Sequence, residues 1–346
     1  MSRARSRWRR VWLSGVSLGL ALTLVVCLPW IAHALTGKDV SWSEIGARFA
    51  DLRPDLVALT AAAWLASLLA YTRVLTNSLP GLSTARALAL NAAGSAVSNL
   101  LPFGGAAGAA LTFAMARSWG FTGRPIVVMT VVSGVWNTMF RFLLPAVGVI
   151  ALLAAGHAID PAVAKAGWVS ALSILLLVAV VAAALYWDAA ATRLGRVLDA
   201  LARLTRLRVR ASAALARLRE DTAGIVRTRW LGLSTGMVGF LGAQWLVLLC
   251  CLWAADAYPG AAQSVAVFAL SRVLTMAVIT PSGAGLMEGG VVLLLSAFGV
   301  DTAAATVAAL LFGFWTYTIE IPVGAAVLGG WALSRRRPAQ AQERAC

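Results

Sequence analysis

Residues 279–290 read ITPSGAGLMEGG, and their only charge is Glu288. They lie inside an apolar stretch that extends from Val273 to Val300. A Pro-Ser-Gly break followed by a carboxylate is unfavourable in hydrocarbon and unnecessary in a simple anchor. The stretch reads as a broken membrane helix whose carboxylate faces protein or a polar cavity. That reading decides the fold class.

The rest of the chain agrees with it. Of its 346 residues, 60% are hydrophobic and 12% charged, with a mean hydropathy of +0.82. Such a composition leaves too little polar surface for a soluble protein of this size. The apolar segments are 11–31, 54–72, 85–101, 104–119, 125–155, 166–186, 230–255, 262–279, 283–299 and 303–331. Their lengths suit helices, since barrel strands would be about ten residues of alternating pattern. Two adjacent pairs have short arms joined by a Pro-Gly break, LPFGG (101–105) in one and TPSGAG (280–285) in the other. Each pair is either two short spans or one re-entrant hairpin, and arm length favours the hairpin, because a spanning helix needs about 20 residues. The expected fold is an all-α polytopic membrane protein with about six full transmembrane helices plus two broken or re-entrant hairpins in an inverted repeat.

The formal net charge of +15 follows from topology. With the N-terminus in the cytoplasm, 23 basic residues fall inside and four outside, while Arg141 and Arg272 lie at membrane depth. This is the positive-inside pattern, so no nucleic-acid partner is expected. The predicted cytoplasmic parts are a basic tail over 1–10, an Arg-rich loop over 187–229 and a tail over 332–346. In the loop, Leu194, Leu198, Leu201 and Leu204 share one helical face, as in an amphipathic helix on anionic lipid or a solvated helical linker. The first apolar segment is longer than the 7–15 residues of a signal peptide core, so it reads as an uncut helix. The alternative is cleavage after Ala32-His33-Ala34. Cys27, Cys250, Cys251, Cys346, His33 and His157 form no disulfide or metal spacing, and no cofactor is expected.

Shifting the chain by 179 residues aligns Pro102 with Pro281, Gly104 with Gly283, Gly120 with Gly299, Gly134 with Gly313 and Trp136 with Trp315. The repeats would cover about 54–155 and 230–331 within a single domain over 11–331. Parity makes them inverted, a recurring transporter design with sites where the repeats meet.

Four ionisable residues lie at membrane depth: Arg141, Arg272, Glu288 and Glu320. All should face inward, and Arg272 and Glu288, on facing arms, are placed to pair. The breaks add backbone donors at half-helix N-termini. Pro281, Gly283 and Gly285 in one repeat, and Asn99, Pro102, Gly104 and Gly105 in the other, complete the candidate substrate-binding set. The competing reading is that the charges only clamp the hairpins together. GAGLME (283–288) is not a dinucleotide loop, because no strand precedes it and Glu288 stands where a glycine belongs.

The blocks SNLLPFGGAAGAALTFAMARSWG (98–120), GVWNTMFRFLLP (134–145) and TPSGAGLMEGG (280–290) resemble the lysylphosphatidylglycerol synthase transmembrane region family, a flippase-like module. Pro281, Gly283, Gly285 and Glu288 fit its second motif, whereas Ala106 to Ala110 lack the acidic residue and arginine common after the first. The resemblance implies a multi-pass bacterial inner-membrane protein, with N- and C-termini cytoplasmic, related to modules that move aminoacylated phospholipids between leaflets. Only a short tail follows Trp331, where the synthases carry an aminoacyl-transferase domain. The expected function is binding, and translocation between leaflets, of a membrane lipid with an anionic phospho- or prenyl-phosphate headgroup. The alternative is a non-transporting partner of a lipid-modifying enzyme or glycosyltransferase. With two carboxylates and no His or Cys-His arrangement at membrane depth, an enzyme is not expected.

Overall fold

The computed structural model describes residues 23, 26–37, 41–101, 104–156, 211–275 and 283–343, with a few single positions between 169 and 179. Among the described residues every regular element is helical: α1 (Leu28–Thr36), α2 (Trp42–Ala50), α3 (Pro54–Ser78), α4 (Thr84–Leu100), α5 (Gly104–Ser118), α6 (Gly123–Ala154), α7 (Ala211–Ala254), α8 (Ala261–Leu274), α9 (Leu286–Ala297), α10 (Thr302–Gly313) and α11 (Glu320–Glu343). A single π-helical turn, Phe314–Thr318, joins the last two. Four stretches are long and apolar enough to cross a membrane: Pro54–Ser78, Gly123–Ala154, Leu218–Ala254 and Thr302–Arg335. The protein is an all-α polytopic membrane protein.

Local chemistry sets the helix starts. Ser83 accepts from the Arg86 backbone N–H at 3.4 Å, and Asp301 accepts from that of Ala304 at 3.0 Å. Both are side-chain caps on otherwise unpartnered donors. The second hairpin has short arms: α8 has 14 residues and α9 only 12. At 1.5 Å per residue, a helix of that length reaches about 20 Å at most, short of a bilayer core of about 30 Å.

Small residues let these helices approach closely, since lipid offers no hydrophobic drive for helix association. On α7, Gly232, Gly236 and Gly239 face Asn77, Val74 and Ala70 of α3. A Cβ on Gly236 would sit 3.0 Å from the Val74 backbone nitrogen. Gly148 of α6 packs on Ala266 and Ala269 of α8, and Gly324 of α11 packs on Ala92 and Ala96 of α4. The 179-residue shift carries α8 onto α4 and α6 onto the stretch that ends in α11, so the two helix pairs correspond as elements.

Several expectations change. α7 begins at Ala211, so nearly half of the expected Arg-rich loop, residues 211–229, is one helix with the following span, because no proline interrupts 211–254. Arg124 on α6 and Asp221 on α7 form a two-point ion pair beside it. His33, just beyond the first apolar segment, lies in α1. The short helix α2 was not expected; Ser41 caps it, and its Arg48 reaches Asp301 at 2.8 Å. The last helix continues to Glu343 where a tail was expected. Most of segments 11–31 and 166–186, residues 193–210, Pro102 and Pro281 lie outside the described residues.

A leucine at Gly324 must push α11 off the Ala92 backbone, whereas a Cβ on Gly330 meets nothing within 4 Å. Over-packing of this kind costs about 1–3 kcal/mol. Gly324→Leu should lower the thermal unfolding midpoint in detergent by several degrees, with Gly330→Leu unchanged; equal midpoints would refute the packing.

Candidate functional site

One face of α6 carries Thr130, Ser133, Asn137 and Arg141 at spacings of three and four, a polar stripe covering about 16 Å of helix axis. α4 carries Asn91, Ser95, Ser98 and Asn99 in the same way. These stripes line a cavity of about 460 Å3, closed on its remaining sides by Tyr71, Phe240, Gln244, Arg272, Thr275, Thr316, Tyr317 and Glu320. Gly105, Gly108, Ala109 and Thr112 of α5 complete the wall.

Helix irregularities place the charges. Pro145 lies inside α6 and has no N–H to bond the carbonyl four residues back, which is that of Arg141. The π turn lies one residue before Glu320, the residue that the repeat shift aligns with Arg141. Arg141 donates from Nε to Asn137 at 3.1 Å and from Nη1 to Thr275 Oγ1 at 3.0 Å, tying α6 to the end of α8. Arg272 is 1% exposed. Its guanidinium lies 5.4 Å from the Phe268 ring centre and 5.0 Å from that of Phe312, a cation–π arrangement with two rings. Nη1 donates to Gln244 Oε1 at 3.0 Å and Nε to Ser271 Oγ at 3.4 Å, whereas the buried Nη2 has no hydrogen-bond partner in the protein. Asn91 Nδ2, also lining the cavity, is buried and unpartnered in the same sense. Glu320 accepts from Asn99 Nδ2 at 2.8 Å. Arg141, Arg272 and Glu320 are within Coulombic reach of one another, so the charged wall sums to +1.

The cavity opens sideways. Gly105 of α5 and Gly134 of α6 both line it and both are exposed. A Cβ on either would meet nothing within 4 Å. The two helices approach at one end, where the Phe113 ring lies 3.5 Å from a Cβ position on Gly123. The end towards the 79–83 and 119–122 turns is filled by Leu79, Leu82, Leu90, Met115, Ile126 and Met129. Among the described residues, a polar hollow flanked by two exposed glycines and bordered by a buried guanidinium is the central feature.

The family profile described as lysylphosphatidylglycerol synthase TM region matches residues 10–324. The chain belongs to this family. None of the curated proteins matches it. As a lysylphosphatidylglycerol synthase TM region protein it is a multi-pass membrane protein, and the matched region is the transmembrane part of those synthases.

The cavity gathers Arg141, Arg272, Glu320, Asn99 and Gly105 from the expected set, and leaves Glu288, Gly283, Gly285 and Gly104 outside it. The expected Arg272–Glu288 pair does not form, and neither does an ion pair of either arginine with Glu320 within 4.0 Å. Glu288 instead turns back on its own helix start and accepts from the Gly285 N–H at 2.7 Å, the carboxylate half of a capping box. The N-terminus of α9 therefore already holds an anion from its own chain. Gly283 and Gly285 have φ of 73° and 84°, a left-handed conformation that favours glycine. A Cβ on Gly283 would also sit 2.7 Å from the Leu274 carbonyl. Both suit the turn that precedes α9, and Gly283 is packed against the end of α8. Gly104 likewise abuts the Ser98 backbone.

Gln244 and the neutral polar wall escaped sequence reading, which followed charge. The signal was present on α6 as polar residues at helical spacing in an apolar segment. Removing one partner of a buried ion pair strands the other charge. Arg272 pairs with no carboxylate within 4.0 Å, so an apolar side chain of similar volume in its place leaves no such charge behind and removes the arginine's own desolvation cost. Arg272→Met should therefore unfold at or above the wild-type temperature. A loss of several degrees would make Arg272 a structural clamp.

Proposed function

We propose that this protein binds the anionic headgroup of a membrane lipid in the cavity and carries it between leaflets, with the tails lying in the bilayer through the slot between α5 and α6. One observation carries the reading: Arg272, a cationic residue lining the cavity, keeps a buried Nη2 donor with no partner in the protein. An unmade hydrogen bond of this kind costs about 1–3 kcal/mol, more for a charged group, and a phosphate oxygen supplies the missing acceptor. Glu320 offsets one of the two arginines, so a single negative phosphodiester brings the wall to neutrality. That matching limits the cost of the charges in a low-dielectric site. Asn91, Ser95, Thr130 and Ser133 offer neutral donors and acceptors to the rest of the headgroup. The charge ledger along the chain orients the closed end of the cavity, at the 79–83 and 119–122 turns, towards the cytoplasm of a bacterial inner membrane.

The alternative, passive attachment to another membrane protein, gives no role to a buried cation with a spare donor. In reconstituted vesicles, exchange of fluorescent phosphatidylglycerol or a prenyl phosphate between leaflets should exceed that of protein-free vesicles. Arg272→Met should lower the rate at least tenfold, in keeping with the loss of a charge-assisted hydrogen bond worth about 1.5–3 kcal/mol. Rates equal in wild type, Arg272→Met and empty vesicles would overturn the proposal.

A further inference from the structure

Positions related by the 179-residue shift show that the two hairpins are not equivalent. Gly134 borders the open slot between α5 and α6, and a Cβ there meets nothing within 4 Å. Its counterpart Gly313 borders the seam between α9 and α10, where a Cβ would collide with Glu288 Oε1 and lie 2.7 Å from the Tyr317 hydroxyl. The residue that fills the seam is itself a counterpart: Glu288 aligns with Ala109, which lines the open slot. The walls differ in the same sense. Thr112, Thr130 and Ser133 line the cavity, while their counterparts Val291, Ala309 and Phe312 are fully buried and apolar.

We infer that the headgroup site loads through the α5–α6 slot alone, and that Glu288 is the positioning residue that bolts the equivalent seam shut. The inference rests on the reading of the cavity as a headgroup site and adds to it a direction of access. Simple exchange of roles between the repeats would expose Val291, Ala309 and Phe312 to a charged headgroup, and an apolar wall offers it no hydrogen bond. The carboxylate holds its place through two contacts. Its Oε2 is tied to the start of α9 by the Gly285 N–H, and its Oε1 rests against Gly313 beside Tyr317. Tyr317 and Thr316, on the π turn, also line the cavity. The seam and the cavity floor are therefore one packed unit, and release on the far side requires Glu288 to leave Gly313.

The test is thiol labelling of vesicles of both orientations with a membrane-impermeant maleimide, in a full-length chain whose four native cysteines are replaced by alanine. Thr130→Cys should react from one side only, and phosphatidylglycerol added to the vesicles should slow it at least fivefold. Ala309→Cys should resist the reagent from both sides. Adding Glu288→Ala, or Gly313→Ala, which displaces the carboxylate without removing it, should make Ala309→Cys reactive from the opposite side. Glu288→Gln, which retains an acceptor for the Gly285 N–H, should leave it protected. Reaction of Ala309→Cys from the opposite side in the otherwise unaltered chain, within tenfold of the Thr130→Cys rate, overturns the inference. So does continued protection in both Glu288→Ala and Gly313→Ala. Failure of the lipid to slow Thr130→Cys, with one-sided access retained, counts against the headgroup reading and leaves the bolt standing.

Discussion

A guanidinium at membrane depth must find partners inside the protein, and the arrangement around Arg272 follows from that requirement. Phe268 and Phe312 enclose its faces, Gln244 takes one edge, and Nη2 is left without a partner in the protein. These partners come from α7, α8 and α10, three helices of the second half of the chain. Arg141 extends the network to the first repeat through Thr275, the residue that ends α8. The two repeats meet through hydrogen bonds between neutral side chains and cations, with Glu320 held by Asn99 on the other flank. Direct pairing of Glu320 with Arg272 would have left the net charge of the wall unchanged but taken up guanidinium donors.

The two buried carboxylates show how position alone separates roles. Glu320 begins α11 one residue after a π turn, a distortion of the regular hydrogen-bond ladder. Glu288 is the third residue of α9, where a carboxylate reaches back to the helix start. The first faces the arginines, and the second is consumed in capping its own helix and packing on Gly313.

Much of this was legible in the sequence. The membrane class followed from composition, and the hairpins followed from Pro and Gly between short apolar arms. Arg141, Arg272 and Glu320 stood out because charge in such segments must point inward, and the cavity does gather them. Glu288 was equally conspicuous and was misplaced, because depth along a hairpin does not give the direction of a side chain. Glu288 also lies three residues after a left-handed glycine, a local capping signature that outweighed the distant arginine. Gly283 and Gly285 were placed in the candidate substrate-binding set, and their positive φ angles give them a role in the turn. The neutral wall of Asn91, Thr130, Ser133 and Gln244 carried no charge to draw notice, although its helical spacing was there to be read.

The account stands on an anionic lipid headgroup meeting Arg272 in the cavity. Lipid retained by the purified protein in a mild detergent, identified and quantified by mass spectrometry, tests this most directly. Wild-type protein should keep about one anionic phospholipid or prenyl phosphate per chain, and folded Arg272→Met protein should lose it while neutral lipids stay unchanged. Identical lipid profiles in the two proteins would contradict the account.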